Sequence, residues 1–257
     1  MKYNITTISD THNKHNQLNG KLPGGHILIH SGDITSIGRK DEVERFIKWF
    51  GKQNYTHKIF IAGNHDMTFD RERLLRDKLA HFEGRTEYDT ECAEGKPQWL
   101  EDTLNNLPNG VYYLENTSVK IEGLNIWGSP YSPTFGYGWG FNVDRGYDAA
   151  QIWNQIPLDT DIVITHSPIY GYNDRTSNTN ENVGCADLYH RLHEVKPHLH
   201  FSGHIHEGYG WGTIPYKDEW GDIYTFNGST CNLRYEAIQD PIKFNYDFVS
   251  REIEFLM

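Results

Sequence analysis

Cysteine is scarce in this 257-residue chain: only Cys92, Cys185 and Cys231, widely spaced and without a C-x-x-C pair. An odd, dispersed set excludes a disulfide-built scaffold and fits a reducing compartment. Long apolar runs are missing too, since no stretch approaches the roughly 18 apolar residues of a membrane span. The N-terminal MKYNITTISDTHNKH turns polar too early for a signal peptide, so a cytoplasmic, membrane-free protein is expected. Positive charge is in short supply, with 24 Lys+Arg against 35 Asp+Glu and a net charge of −11. Broad binding to nucleic acid or anionic lipid, which needs a clustered basic face, is therefore not expected. Low-complexity tracts, linkers and long-period repeats are also lacking, and residues 1–257 are expected to form one domain. A chain of this size buries roughly 70–75 % of its unfolded surface and needs no covalent staples.

Histidine, by contrast, is plentiful, with 14 residues. Their placement follows a coarse alternation of strands and helices. Residues 2–9, 26–31, 57–62, 161–165 and 198–202 read as strands from their length and β-branched content. Residues 41–50, 70–82, 148–156 and 185–195 carry apolar residues at helical steps, and Asp41, Asp70 and Asp148 could cap or charge helix starts. Further β-like pieces lie at 111–114, 117–127, 222–227 and 242–249. This order predicts an α/β fold built as a two-sheet β-sandwich flanked by helices. In parallel sheets, ligands gather at the carboxyl ends of strands.

All five principal strands run into chemistry: Asp10, Thr11 and His12; Gly32 and Asp33; Gly63, Asn64, His65 and Asp66; Thr165 and His166; Gly203, His204 and His206. Each fragment alone reads as a turn, a helix cap or a structural histidine. Together they do not, because any position is His about once in eighteen, yet His stands at every strand end but one. Oxygen and imidazole donors of this kind suit Mn, Fe, Zn, Ni or Co rather than copper. Two divalent ions about 3.5–4 Å apart, bridged by a carboxylate, can clamp the attacking and leaving oxygens of phosphoryl transfer.

In order and spacing, the pattern D-x-H, G-D, G-N-H-D, H and G-H-x-H resembles the calcineurin-like metallophosphoesterases over nearly the whole chain. SDTH at 9–12, IAGNHD at 61–66, GWGFN at 138–142, RGYD at 145–148 and IHEGYG at 205–210 are similar to the small metallophosphoesterase-domain proteins with cyclic-nucleotide phosphodiesterase activity. The resemblance implies a four-layer αββα fold. It implies that Asp10, His12, Asp33 and His206 hold one metal, while Asp33, Asn64, His166 and His204 hold the other. Asp33 would bridge, and manganese is the first metal expected. The implied nucleophile is a metal-bridging hydroxide. His65 would face the phosphoryl group as the catalytic residue, its ring oriented by Asp66. Some relatives of this branch carry Gly where this chain has His204, so a complete second site is expected here.

Substrate choice must come from what surrounds the metals. The pentapeptide GYGWG occurs at 136–140 and 208–212 and reads as loop, either flexible or a stacking platform. Residues 171–182 contain no aliphatic side chain and form either a wall of the site or a surface loop, with Arg175 placed to meet a phosphate. Arg145, Arg175 and a wealth of Tyr and Trp, including Trp139 and Trp211, suit a singly charged nucleotide or cyclic-nucleotide diester better than a monoester dianion. A phosphomonoesterase, a protein phosphatase and a non-catalytic metal-binding scaffold remain as alternatives, as does a homo-oligomer. His15, His26, His57, His81, His190 and His193 read as surface or strand-edge bystanders, His30, His198 and His200 as structural, and Cys185 and Cys231 as buried, inert thiols.

Overall fold

The computed structural model describes residues 2–71, 97–215 and 221–256. Alternation along short strands decides how its layers stack. In β1 (Lys2–Ile8), β2 (Gly25–His30) and β3 (Tyr55–Phe60), successive side chains point to opposite faces. Ile5, Ile27, Ile29 and Ile59 join one buried cluster, while Ile8, Leu28 and Phe60 join another. Apolar residues on both faces are what a parallel strand covered on both sides requires. These strands and β4 (Val111–Tyr113) are indeed paired in parallel. The antiparallel β13 (Ile242–Asp247) and β14 (Glu252–Phe255) complete a six-stranded sheet in the order β14-β13-β1-β2-β3-β4.

A second six-stranded sheet contains β5 (Thr117–Ile121), β6 (Leu124–Ser129), β9 (Ile162–Thr165), β10 (Leu199–Ser202), β11 (Gly210–Ile214) and β12 (Ile223–Asn227). Its order is β11-β12-β10-β9-β6-β5, and β7 (Ser132–Pro133) pairs in parallel with β8 (Asn142–Val143) in a separate two-stranded ribbon. Between the sheets, Ile126, Ile162, Ile164, Leu199 and Phe201 face the isoleucines of the first sheet, and Phe226 stacks on Phe244 with ring centroids 4.8 Å apart. Outside the first sheet lies α1 (Lys40–Gly51), whose Val43, Phe46, Ile47 and Phe50 form one helical stripe against Leu28 and Phe60. Outside the second lie α3 (Tyr147–Trp153) and α4 (Ala186–Val195), which bury Trp153, Leu188 and Leu192 against Trp127 and Val163. The result is helix, sheet, sheet and helix, the architecture expected from the sequence.

Details differ from the sequence reading. The 117–127 segment is a hairpin turning at Glu122 and Gly123, both at positive φ. Gly210–Gly212 of the second GYGWG copy is not loop but part of β11, paired with β12. α2 (Gln98–Asn105) and β14 carried no clear signal. Beyond its first two positions, the helix read over 70–82 lies outside the described residues, as do His81 and Cys92. His15 is buried rather than a surface residue, its ring 4.9 Å from Trp49 and 5.7 Å from Phe46. Asp41 and Glu42 both charge the first turn of α1, and Glu42 closes it, its carboxylate accepting from the Arg39 amide. The Asp70 carboxylate accepts from the Phe141 amide.

The parallel strands of both sheets end along one edge, and that edge is stitched across. The Ser9 amide donates to the Gly228 carbonyl at 2.7 Å, and the Thr230 amide to Ser9 at 2.8 Å. His166 Nδ1 donates to the Ser31 carbonyl at 2.9 Å.

Candidate metal centre

The turns leaving the strands are held in strained backbone. Asp10, His12, Asp33 and His204 all lie at positive φ, between 41° and 66°. For a non-glycine residue each such conformation costs on the order of 1–3 kcal/mol, so the surroundings must impose it. They do. The Asp10 amide donates to Gly32, the His12 amide to Asp33, and the His204 amide to the Asp10 carboxylate. Gly63 is required by space: a Cβ there would overlap the Asp33 carboxylate and stand 2.6 Å from the His166 ring.

All seven residues expected as ligands come together, joined in one chain of short contacts. His204 Nδ1 lies 2.8 Å from Asn64 Oδ1, which lies 2.9 Å from His166 Nε2. From there the chain passes to Asp33 Oδ2 at 3.4 Å and on to His12 Nε2 at 3.7 Å. It ends through His206 Nε2 at 3.2 Å and Asp10 Oδ1 at 3.5 Å. Asp33 sits in the middle. Its Oδ1 accepts from the His65 amide at 2.8 Å, which turns Oδ2 toward the imidazoles on either side. Asp10, His12 and His206 each bring a ligand atom within 4.8 Å of the other two, as do Asp10, Asp33 and His166, and likewise His12, Asp33 and His65.

The next layer fixes which nitrogen points inward. A main-chain carbonyl can only accept, so His166 carries its proton on Nδ1 toward Ser31, and His206 carries its own toward Asn232 at 3.0 Å. That leaves Nε2 of each ring facing the cluster. Ser229 Oγ donates to Asp10 Oδ2 at 3.0 Å. Burial opposes charge on Asp33, but the His166 and His65 charges outweigh it and hold the carboxyl well below its usual range. Burial likewise opposes charge on His166, yet Asp33 raises it to about 9. Burial alone leads for His12 and His204, pushed down to about 4 and about 3. A carboxylate wrapped by imidazoles, with neutral rings at both flanks, is a donor set that fits divalent cations.

A family model described as calcineurin-like phosphoesterase matches residues 3–208. The chain belongs to the calcineurin-like phosphoesterase family. Metallophosphoesterase domain-containing protein 1 of Homo sapiens is 38 % identical over 242 residues, covering 91 % of this chain and 68 % of that protein. A UPF0046 protein of Caenorhabditis elegans is 32 % identical over 249 residues, covering 95 % of this chain and 81 % of its own. The crystal structure of TT1561 of Thermus thermophilus shares the fold, with a TM-score of 0.54 at 12 % identity over 100 % of this chain and 99 % of that one. Members of this family generally bind two divalent metals, and the clusters above are candidates for that role here.

His65 is half-buried, packed edge-on to His12 with centroids 4.4 Å apart and against Trp139 at 4.4 Å. Asp66 does not orient its ring. The Asp66 carboxylate instead accepts from the Ile34, Thr35 and Gly63 amides, tying the Asp33 turn to the Asn64 turn, and His65 Nδ1 donates to the Ser36 carbonyl at 2.7 Å. Trp139 is placed by its loop, since the Gly140 amide donates to Asn64 and Asp70 holds Phe141.

Trp211 is elsewhere, stacked on Phe255 at 4.4 Å. Arg145 donates to the carbonyls of Val183 and Gly184, and Arg175 to that of Asn180, so both are engaged by the chain itself. The 171–182 loop is tied down: buried Asp174 accepts from the Gly171 and Gly184 amides, and Ser177 binds Glu207. Cys185 and Cys231 are buried, with burial pushing the Cys231 thiol up to about 12. His30 and His200 are buried against threonine hydroxyls, and His198 pairs with the Tyr246 hydroxyl. Sequence reasoning missed Ser229, Asn232 and Tyr235, which share one loop after β12. The G-S-T-C run following a strand was the only signal for them.

Proposed function

We propose that this chain is a phosphodiesterase that uses two divalent metal ions, manganese first among Mn, Fe, Zn, Ni and Co, to hydrolyse small nucleotide or cyclic-nucleotide diesters. The observation that carries the reading is the seven-residue chain of donors with Asp33 Oδ2 between its two halves. Asp10, His12, Asp33 and His206 would hold one ion and Asp33, Asn64, His166 and His204 the other. When bound, such a pair acidifies water and clamps the oxygens of an in-line displacement.

The protein's own groups supply the rest. His65, fixed through Nδ1 by Ser36, presents Nε2 to hold or give the proton that the departing oxygen needs. Ser31 and Asn232 keep the ligand imidazoles in the tautomer that leaves Nε2 available. Diester preference is supported by the rim, where Phe135 and Trp139 are near His204 and His65 while Arg145 and Arg175 are engaged by loop carbonyls. A monoester dianion would need free cations there. The proposed partner is a small phosphoester substrate, met in the cytoplasm.

The test is kcat/KM for bis(4-nitrophenyl) phosphate, 4-nitrophenyl phosphate and the 2′,3′- and 3′,5′-cyclic nucleotides, each assayed with the five metals. Diesters are expected to exceed the monoester under the best metal. A clear monoester preference returns the protein to the general phosphatases.

A further inference from the structure

Aromatic side chains stand at both ends of the donor chain. At the His204 end, the Phe135 ring lies 4.8 Å from the imidazole and stacks with Trp139, which covers His65. At the other end, Tyr235 meets His12 edge-on at 4.7 Å and His206 at 5.6 Å. Tyr235 is no stray surface ring. Its backbone is held at φ 56°, its carbonyl accepts from the Lys14 ammonium, and Asn232 Oδ1 accepts from the Arg234 and Glu236 amides on either side of it. The Asn232 carbonyl that closes this loop also receives His206 Nδ1, so the loop that shapes the metal centre also carries the ring.

Next to the Tyr235 loop opens a cavity of about 240 Å³ bounded by His206, Glu207, Asn232, Leu233, Arg234 and Gln239. The Glu207 carboxylate in this wall accepts from the Ser177 amide and hydroxyl. Arg234 pairs with Glu236 at 3.2 Å, while Leu233 is left 58 % exposed. An uncharged, flat group suits that wall better than a second phosphate.

A phosphodiester sends two ester oxygens away from phosphorus in different directions while its non-bridging oxygens meet the cations. A cyclic nucleotide closes both ester oxygens into one ring and carries a single base, which leaves one wall unused. We propose that the site is built for acyclic phosphodiesters with two bulky flat arms, one laid against Phe135 and Trp139 and the other against Tyr235 and its neighbouring cavity. This rests on the phosphodiesterase reading and narrows it.

The test compares bis(4-nitrophenyl) phosphate with methyl 4-nitrophenyl phosphate, which release the same 4-nitrophenolate. Each kcat/KM is divided by that ester's own rate of alkaline hydrolysis, to remove the effect of the doubled leaving group and the electron-withdrawing retained arm of the former. Wild-type protein is expected to favour the bis-aryl ester by at least about tenfold in kcat/KM, the scale of one aromatic stack. Of Phe135→Ala and Tyr235→Ala, the variant whose wall seats the retained arm loses that preference, and the other slows both esters by a similar factor. Tyr235→Phe, which retains the ring, is expected to restore the bis-aryl preference relative to Tyr235→Ala. Tyr235→Leu repeats the measurement with bulk retained, and metal content is determined for every variant to show that His206 is still in place. Hydrolysis of both esters without a bis-aryl preference, or a preference that survives both alanine variants, overturns the two-arm inference alone. Hydrolysis of neither ester with any of the five metals overturns the phosphodiesterase reading beneath it.

Discussion

Asp33 shows how a single residue is made to serve two neighbours. One oxygen is occupied by the His65 amide, and the other is shared between His12 and His166. His65 hydrogen-bonds the same carboxylate through its backbone, while its ring is turned by the bond from Nδ1 to the Ser36 carbonyl. His65→Ala should keep its metal content and lose roughly 10²–10⁴-fold in kcat, the range for a positioned acid or base. Metal analysis and steady-state kinetics check this together, and a variant that loses metal places the ring among the ligands. Ser229 acts one step further out, through its hydrogen bond to Asp10. Ser229→Ala should weaken metal binding by roughly 10–100-fold, measured by competition with a chromogenic chelator. Unchanged affinity would reduce that hydrogen bond to a bystander.

At the scale of elements, what was legible follows from periodicity. The five site-bearing strands are short β-branched runs that break at once into His or Asp, and all five enter the inter-sheet core with alternate residues. α1 was legible for the same reason, and its stripe gives a direct test. Phe46 is fully buried and stacks on Phe50 at 5.0 Å, so Phe46→Ala should cost about 3–5 kcal/mol in urea unfolding. A cost below about 1 kcal/mol would mean the helix does not seal the outer face of the first sheet. β11 was illegible because glycine alternates with Tyr and Trp there, and its strand state comes from pairing with β12 rather than from local preference. The candidate ligand residues were legible through the family resemblance that their motifs carry. The loop after β12 was not, since Asn232 acts through its backbone carbonyl and any residue type could supply that. Tyr235 is a lone aromatic in a polar stretch until the fold brings it over His12.

Across the whole molecule, the buried histidines that hold no place among the ligands set a pH limit. His200 is enclosed between Thr165 and Thr225, and burial pushes it down to about 3 from an ordinary value of 6.5. Below pH 6.5 the unfolded chain takes up a proton there that the folded chain refuses until about pH 3. Stability is therefore full above 6.5 and falls with pH through that window, by up to about 1.4 kcal/mol per unit for this one group. With chelator present throughout, His200→Gln should flatten the loss of stability between pH 7 and pH 5. An unchanged slope would show that His200 titrates normally in the fold.

The central claim is that both halves of the donor chain are filled in the working protein, with Asp33 common to them. The most direct measurement is a titration of metal-stripped protein with Mn²⁺, following bound metal and bis(4-nitrophenyl) phosphate hydrolysis in the same samples. The account predicts that activity is absent without metal, reaches its plateau at two ions per chain, and never appears in Asp33→Asn, which should bind neither ion tightly. Full activity in stripped protein, or a plateau at a single ion, would contradict it.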